Sequence, residues 1–476
     1  MKKPRKCLSL IFTILICLSV KAQTVWTIKA CIDTAYKLNL SINQGVLSKD
    51  INKINLIQSK ASLAPNINLT DGQNFSSGYS LDPYTYQYTN KNISINNLAL
   101  NSSVTLFNGY LLLHTVRQNK LLYDASMLDI EKNKNDIMLN IIAGYMQVLM
   151  DYEAIEVAFN QVKISSTLLD QTRHFVEFGK APEINLLQLQ SQLASDQLAE
   201  VNAKNQTQLD KVILQQLINI PVSDNFEIDR NQLMNIFPQK TASTEEIVKI
   251  SEFFLPQVKS ATLKTSAALY SLKISKSSLF PKLTMTGYLK TGYSSLRSNI
   301  TQSTYYNSET IGYVNNSPSQ PVIGIIPVTI LNRQIQPLSE QLKSNFSQAI
   351  SFNLAIPIFN NLQSSSNVSI ARINLMKAKL NEKQIINDLR KSIETSYLNQ
   401  ISAEKKMNAT EEQMILERKT YNNMEIKFSA GAINTTDFLI EKNNYNKVSM
   451  SLIQAKYDYI LKTKMVDFYL GKPLIY

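Results

Sequence analysis

Residues 107–221 of this 476-residue chain return, in the same order and at one fixed offset, as residues 359–473. Phe107 and Asn108 recur as Phe359 and Asn360, Tyr145 as Tyr397, Gly179 as Gly431, Leu187 as Leu439, Ala203 as Ala455 and Pro221 as Pro473, each 252 positions later. Glycine (12) and proline (14) are scarce, so a Gly pair and a Pro pair sharing one offset with aromatic pairs marks a tandem duplication. Ser62, Leu63, Ala64 and Pro65 match Ser278, Leu279, Phe280 and Pro281 at an offset of 216. The second copy therefore holds 36 extra residues between its Pro and its Phe, the difference of the two offsets.

Residues 1–23 read as an export signal, with a basic start (Lys2, Lys3, Arg5, Lys6), an apolar run from Cys7 to Val20 and a small residue, Ala22, where a peptidase can cut. Ile16 before Cys17 argues against lipid attachment there, which needs a small residue. Five cations leave with the signal, so the formal charge falls from +12 to +7. That balance is mildly basic and no nucleic-acid signature. Only Cys31 remains, so no internal disulfide can form and the exported fold must hold by packing. His114 and His174 are the only histidines and form no cluster with ligand spacing, so no metal or cofactor is expected. No nucleophile, base and orienting group come together in the sequence, and an enzyme is not expected. After the signal no apolar stretch approaches the ~18 residues of a spanning helix. A membrane, if crossed, is crossed by strands.

Each copy reads as helix, strand, strand, helix, helix. Residues 28–63 contain no Pro and one Gly, and read as a single helix ending where Pro65 denies its predecessor a helical backbone. Beyond Pro65 the period becomes two, with Ile67 and Leu69 alternating with Asn66, Asn68 and Thr70. The returning strand sets Leu98, Leu100, Val104 and Leu106 against Ala99, Asn101, Ser103 and Thr105, and its counterpart sets Ile350, Phe352, Leu354, Ile356 and Ile358 against Ser351, Asn353 and Ala355. One face is apolar and the other carries small polar groups. That suits a soluble sandwich with the apolar face inward, or a membrane barrel with that face to lipid and the polar face to water. Residues 76–96 and 294–345 read as polar loops, the second holding the 36-residue excess.

Residues 111–178 contain no Pro and one Gly, and Ile141, Tyr145, Val148, Tyr152, Ile155, Phe159, Val162 and Leu169 trace a 3.5-residue seam of the kind found in left-handed supercoils. At 1.5 Å per residue such a helix is on the order of 100 Å long. A further helix is expected over 183–218 with Leu186, Leu193, Leu198, Val201, Leu209 and Val212 inward. In the second copy Gln400, Glu404 and Glu411 fall where the first has apolar residues, so either the register shifts or they face water. Residues 222–243 form a polar link, giving a first repeat over 24–221 and a second over 244–476.

Two such units behind an export signal resemble the TolC-like outer-membrane efflux channel family. The cues are Pro65 and Pro281 before the strands, Leu106, Phe107, Asn108 and Gly109 with Ile358, Phe359 and Asn360 at strand ends, and the paired turns Phe178, Gly179, Lys180 and Ala430, Gly431, Ala432. The resemblance implies a mainly α chain with a small membrane β-barrel: a homotrimer in which four strands per subunit close a twelve-stranded barrel in outer-membrane lipid, and the long coiled-coil helices form an α-barrel through the periplasm. Drugs or other small toxic compounds would pass from an inner-membrane pump through a periplasmic adaptor (membrane fusion) protein to the exterior. The rivals are a duct for type I polypeptide secretion and, from another class, a periplasmic coiled-coil scaffold without a pore.

Gly179 and Gly431 are first of all left-handed helix caps. The resemblance makes their turns the periplasmic tip, with Lys180, Ala181 and Ala432 as exposed adaptor contacts and Ile433 beside them. Asp437, three residues after Asn434, is stabilised in a first helical turn by unpaired amides and the helix dipole. In the family an acid at the matching position narrows the closed entrance, and the two roles are compatible. This chain departs from the family elsewhere: the later acid is Ile440, the turn arginine is Ile433, the tyrosine before the Gly is Phe428, and the first-repeat acid is Asn185. Closure is therefore expected to be hydrophobic, through Phe428, Ile433, Phe438 and Ile440. Trp26 is read as a packing anchor beside the first helix, and Tyr79, Tyr84, Tyr86 and Tyr88 as an aromatic belt or ordinary loop composition.

Overall fold

A computed structural model describes residues 25–230, 243–316 and 318–474. The export signal, Cys17 and the 231–242 part of the polar link lie outside the described residues. The helices are α1 (Ile28–Leu38), α2 (Leu40–Ala61), α3 (Leu111–Glu177), α4 (Glu183–Ile218), α5 (Thr244–Phe254), α6 (Pro256–Ser277), α7 (Leu338–Ser344), α8 (Gln363–Ser429) and α9 (Thr435–Tyr469). The strands are β1 (Val25–Trp26), β2 (Asn66–Ser76), β3 (Ser80–Leu81), β4 (Tyr88–Thr89), β5 (Ile93–Phe107), β6 (Glu227–Ile228), β7 (Lys282–Ser294), β8 (Ser298–Tyr313), β9 (Pro321–Ile335) and β10 (Ser347–Ala355). The two 67-residue helices α3 and α8 begin and end 252 positions apart, and α1 and α2 begin and end 216 positions before α5 and α6.

The chain divides into two compact units. Of the described residues, one holds 25–54, 120–230, 243–268 and 374–474; the other holds 55–119, 269–316 and 318–373. In the first unit, Ile28, Cys31, Ile32 and Ala35 of α1 pack with Ile141, Tyr145, Val148 and Leu149 of α3, Leu214 and Ile218 of α4, and Tyr457 and Ile460 of α9. Burial pushes the Cys31 thiol up to about 12, which leaves it inert. Part of the polar link is structured: β6 pairs with β1 in parallel, Val25 opposite Glu227 and Trp26 opposite Ile228. Tyr145 Oη closes that pair by donating to the carbonyls of Trp26 (3.1 Å) and Asp229 (2.8 Å), and Trp26 packs on Phe226 with ring centroids 5.6 Å apart. A second cluster joins Ile247 and Val248 of α5, Val258 of α6, Leu389 and Ile393 of α8 and Val466 of α9.

Several sequence expectations are corrected in this unit. Residues 28–63 are two helices, because Asn39 leaves the helical region (φ −65°, ψ 125°) and its Oδ1 accepts from the amides of Ser41 (2.9 Å) and Ile42 (3.3 Å), starting α2 afresh. The α3 seam holds at Ile141, Tyr145, Val148 and Leu169, but Phe159 is exposed and the buried line also takes in Asp151, Gln161, Ser165, Leu168 and Thr172. A straight helix drifts by about 20° per heptad against a 3.5-residue repeat, so one linear seam does not last its length. On α4, Leu198, Val201 and Leu209 are exposed, and the buried line runs through Leu189, Asp196, Thr207, Asp210, Leu214 and Ile218. On α8 the buried line passes one residue earlier, at Ala403 and Thr410, and leaves Glu404 and Glu411 exposed.

The second unit is built on a four-stranded antiparallel sheet in the order β10, β7, β5, β2. Register places Ile67 and Leu69, Leu98 and Leu100, Met285 and Leu289, and Ile350, Phe352 and Leu354 on one face. Asn68 and Thr70, Ala99 and Asn101, Tyr288 and Lys290, and Ser351 and Asn353 share the other. β10 ends at Ala355, short of Ile356 and Ile358, because Pro357 has no amide to donate and restricts its predecessor. At the junction after β5, Gly109 (φ 64°) and Tyr110 (φ 64°) both adopt left-handed backbone, and Asn361 (φ 53°) and Leu362 (φ 62°) repeat the turn before α8. The polar-loop reading of 294–345 is overturned. Most of it is a β8–β9 hairpin, paired from Ser298 opposite Ile335 to Tyr313 opposite Pro321, followed by α7. Pro321 and Pro327 disguise a strand otherwise rich in Val and Ile, yet both strands of a two-stranded ribbon are edges, where Pro is tolerated.

Candidate gate and docking tip

The tip belongs wholly to the helical unit. α3 ends in a left-handed cap: Gly179 (φ 72°) donates to the Val176 carbonyl at 2.9 Å, and Lys180 donates to the Phe175 carbonyl at 2.7 Å. α8 repeats it, with Gly431 (φ 70°) donating to Phe428 at 2.9 Å and Ala432 to Lys427 at 2.8 Å. Both are Schellman caps, which pair the last helical carbonyls and require the αL backbone that glycine adopts without a Cβ clash. Gly179, Lys180, Gly431 and Ala432 are exposed, and Ala181 is half-buried.

The next helices start differently. Pro182 precedes α4 with no side-chain cap. Asn434 caps α9, its Oδ1 accepting from the Asp437 amide at 2.8 Å while its Nδ2 donates to Asp437 Oδ2 at 2.9 Å. The Asp437 carboxylate is thus fixed in the first turn, where the helix dipole favours it. It remains exposed.

Under these turns lies a core of Leu168 and Leu169 (α3), Leu189 (α4), Tyr421 (α8) and Phe438 (α9), with Leu186, Leu193, Phe428 and Ile433 packed against it. Phe438 is 0% exposed and stacks on Phe428 with centroids 4.6 Å apart. As a closing surface Phe438 is therefore corrected: it is packing that holds the tip together, and Phe428 and Ile433 are half-buried beside it. Ile440, at 56% exposed, stands with Asp437 on the open side of α9, while Asn185 on α4 is half-buried. Gln188 Nε2 reaches Thr436 Oγ1 at 3.3 Å and Gln192 Nε2 reaches Asn443 Oδ1 at 3.4 Å, joining α4 to α9.

Sequence reasoning missed a buried polar cluster beneath this core. Lys442 of α9 is 0% exposed and its ammonium lies 2.5 Å from Asp196 Oδ2 on α4; Ser165 Oγ of α3 accepts from Lys442 and donates to Asp196. Gln192 Nε2 adds a bond to Asp196 Oδ1 at 2.9 Å. Burial pushes the Lys442 ammonium below its ordinary value, and Asp196 opposes that shift. A signal was present, since Lys442 continues the inward line of Thr435 and Phe438 at helical spacing. Among the described residues no group of three or more His, Cys, Asp or Glu could hold a metal ion. Nor is any described helix long and apolar enough to cross a membrane.

The chain matches the family model described as outer membrane efflux protein over residues 33–219 and 327–472, most of its length. It is 19% identical over 363 residues to toxin and drug export protein A of Aggregatibacter actinomycetemcomitans, covering 76% of this chain and 69% of that protein. Among solved structures it is similar to CusC, with a TM-score of 0.74 at 14% identity over 94% of this chain and 92% of that one. It is likewise similar to the outer membrane protein VceC of Vibrio cholerae, with a TM-score of 0.71 at 12% identity over 94% and 96%.

Proposed function

Since the chain belongs to the outer membrane efflux protein family, we propose that it is the outer-membrane channel of a tripartite export system, passing drugs or other small toxic compounds outward from an inner-membrane pump and a periplasmic adaptor. The observation that carries this reading is the open four-stranded sheet. Its apolar face is uncovered, with Ile350 at 72% and Phe352 at 65% exposed, its opposite face bears Asn, Ser and Thr, and among the described residues no strand covers β2 or β10 at its edges. Exposed edges and an exposed apolar face are resolved together when three copies close a twelve-stranded barrel in lipid, polar face inward. The uncovered lines Leu47, Ile51 and Ile54 on α2 and Leu198, Val201 and Leu209 on α4 fit the same assembly, because each repeats at the spacing of helices that pack on neighbours.

The two tandem repeats then supply equivalent helices to one tunnel. The exposed turns at Lys180 and Ala432 offer the docking surface for the adaptor, and Asp437 with Ile440 narrows the entrance. Because one relative is called a toxin and drug export protein, a duct for secreted polypeptides is the second reading. The helices do no chemistry in either. Purified trimer in a planar bilayer is expected to form discrete channels that widen on Ile440→Ala or Asp437→Ala. Trimer that inserts in lipid and passes no current in the parent or either variant would sink the proposal.

A further inference from the structure

The segment between β2 and β5 lies over the polar face of the sheet, at its loop end only. Along most of that face Asn97, Ala99 and Asn101 keep solvent contact, but Ile93 and Ile95, on the same face by register, are 2% and 6% exposed. Tyr84 Oη donates to Asn97 Oδ1 at 2.7 Å, and a Cβ on Gly292, which pairs with Asn97, would fall 1.8 Å from that hydroxyl. Tyr84 thus fills the space that a side chain on the polar face would take.

The segment is fastened there by Asp82, which is fully buried. Its Oδ1 accepts from the amides of Tyr84 (2.8 Å) and Thr85 (3.3 Å), and its Oδ2 accepts from Ser294 Oγ at the end of β7. Ser294 is held in turn by Gln341 of α7, whose Oε1 accepts from the Ser294 amide at 2.9 Å and whose Nε2 donates to the Ser294 carbonyl at 3.0 Å and to Gln336 at 2.8 Å. A buried carboxylate and a buried amide with several partners each fix geometry, because leaving any of those groups unpaired is costly. Beyond the anchor, Tyr79 and Tyr88 stack at 5.4 Å, and Tyr79, Tyr86 and Tyr88 remain exposed.

We infer that residues 77–92 form a constriction at the mouth of the channel, folded onto its water-lining face, fastened by Asp82 to Ser294 and braced through Gln341 by the insertion of the second copy. This rests on the channel reading above, in which the polar face lines water. Three copies would crowd the opening with tyrosines, which limits the size of what passes and presents flat aromatic surfaces to it. The insertion is then a strut for the mouth.

The test uses full-length trimer carrying Ile95→Cys, since the other described cysteine, Cys31, is buried and inert. A charged methanethiosulfonate should react slowly with the parent fold and about tenfold faster or more once Asp82→Ala releases the segment. Asp82→Ala should also raise single-channel conductance, and a bulky thiol reagent on Tyr86→Cys, a surface variant, should lower it. Equal thiol reactivity with and without Asp82 overturns the placement. A freed segment with unchanged conductance overturns the constriction while leaving the channel intact. Trimer that shows the expected reactivity yet never conducts overturns the channel reading, and the constriction with it.

Discussion

The ammonium of Lys442 on α9 stands 2.5 Å from the Asp196 carboxylate on α4, out of contact with solvent, with Ser165 of α3 bonded to both. Removing one partner strands the other charge in the interior. Lys442→Met is expected to cost about 3–5 kcal/mol in chemical unfolding, and the double variant Lys442→Met with Asp196→Leu to recover most of it. A double variant no more stable than the single would show that the pair does not act as a unit.

Asp151 gives stability an unusual pH dependence. Burial foremost, then its neighbour Asp210, pushes its carboxyl from 3.8 up to about 7, while Gln147 donates to it at 3.1 Å. The folded chain therefore holds a proton that the unfolded chain has released, so this contribution is whole below 3.8 and is lost as pH rises through 7. Asp151→Asn should leave stability little changed at pH 4 and raise it at pH 8 by an amount on the order of a few kcal/mol. Parallel unfolding midpoints for parent and variant across that range would contradict it.

The left-handed glycines are not equivalent. At Gly179 and Gly431 a Cβ meets nothing within 4 Å, so alanine there should cost only the backbone strain, about 1 kcal/mol each. At Gly109 the same atom would meet Phe280 Cβ at 2.8 Å and the Ser277 carbonyl at 2.9 Å, while Ser277 Oγ already donates to the Gly109 carbonyl at 2.6 Å. Thermal melts should rank Gly109→Ala well below the other two.

Leu198 and Leu209 are exposed in the single chain. Leu198→Asp with Leu209→Asp should leave the helical signal in circular dichroism intact and abolish the trimer in sedimentation. A trimer that survives both charges would place the subunit contact elsewhere.

The long helices, their glycine turns and the alternating strands were legible because each rests on local chemistry: period, proline and αL backbone. What the sequence hid was pairing at long range. Nothing local in the sequence pairs Asp196 with Lys442, which meet only when three helices bring them together, and Phe438 read as a closing surface until Phe428 and Tyr421 cover it. Asn39 hid for the opposite reason, since one asparagine breaks a helix only where its side chain finds the next amides. The β8–β9 hairpin was lost to its two prolines. At the tip, the caps were predictable from sequence, but which side of α9 stays open was not.

In the proposed barrel, the outer edges of β2 and β10 make each copy answerable to its neighbours. In the proposed ring of three, one chain with a spoiled edge leaves a seam unsealed, however sound the other two subunits are. The yield of closed rings should then fall as the cube of the fraction of sound chains when sound and defective copies are made together. A single defective allele would therefore act as a poison, and a cell expressing both would lose far more transport than half.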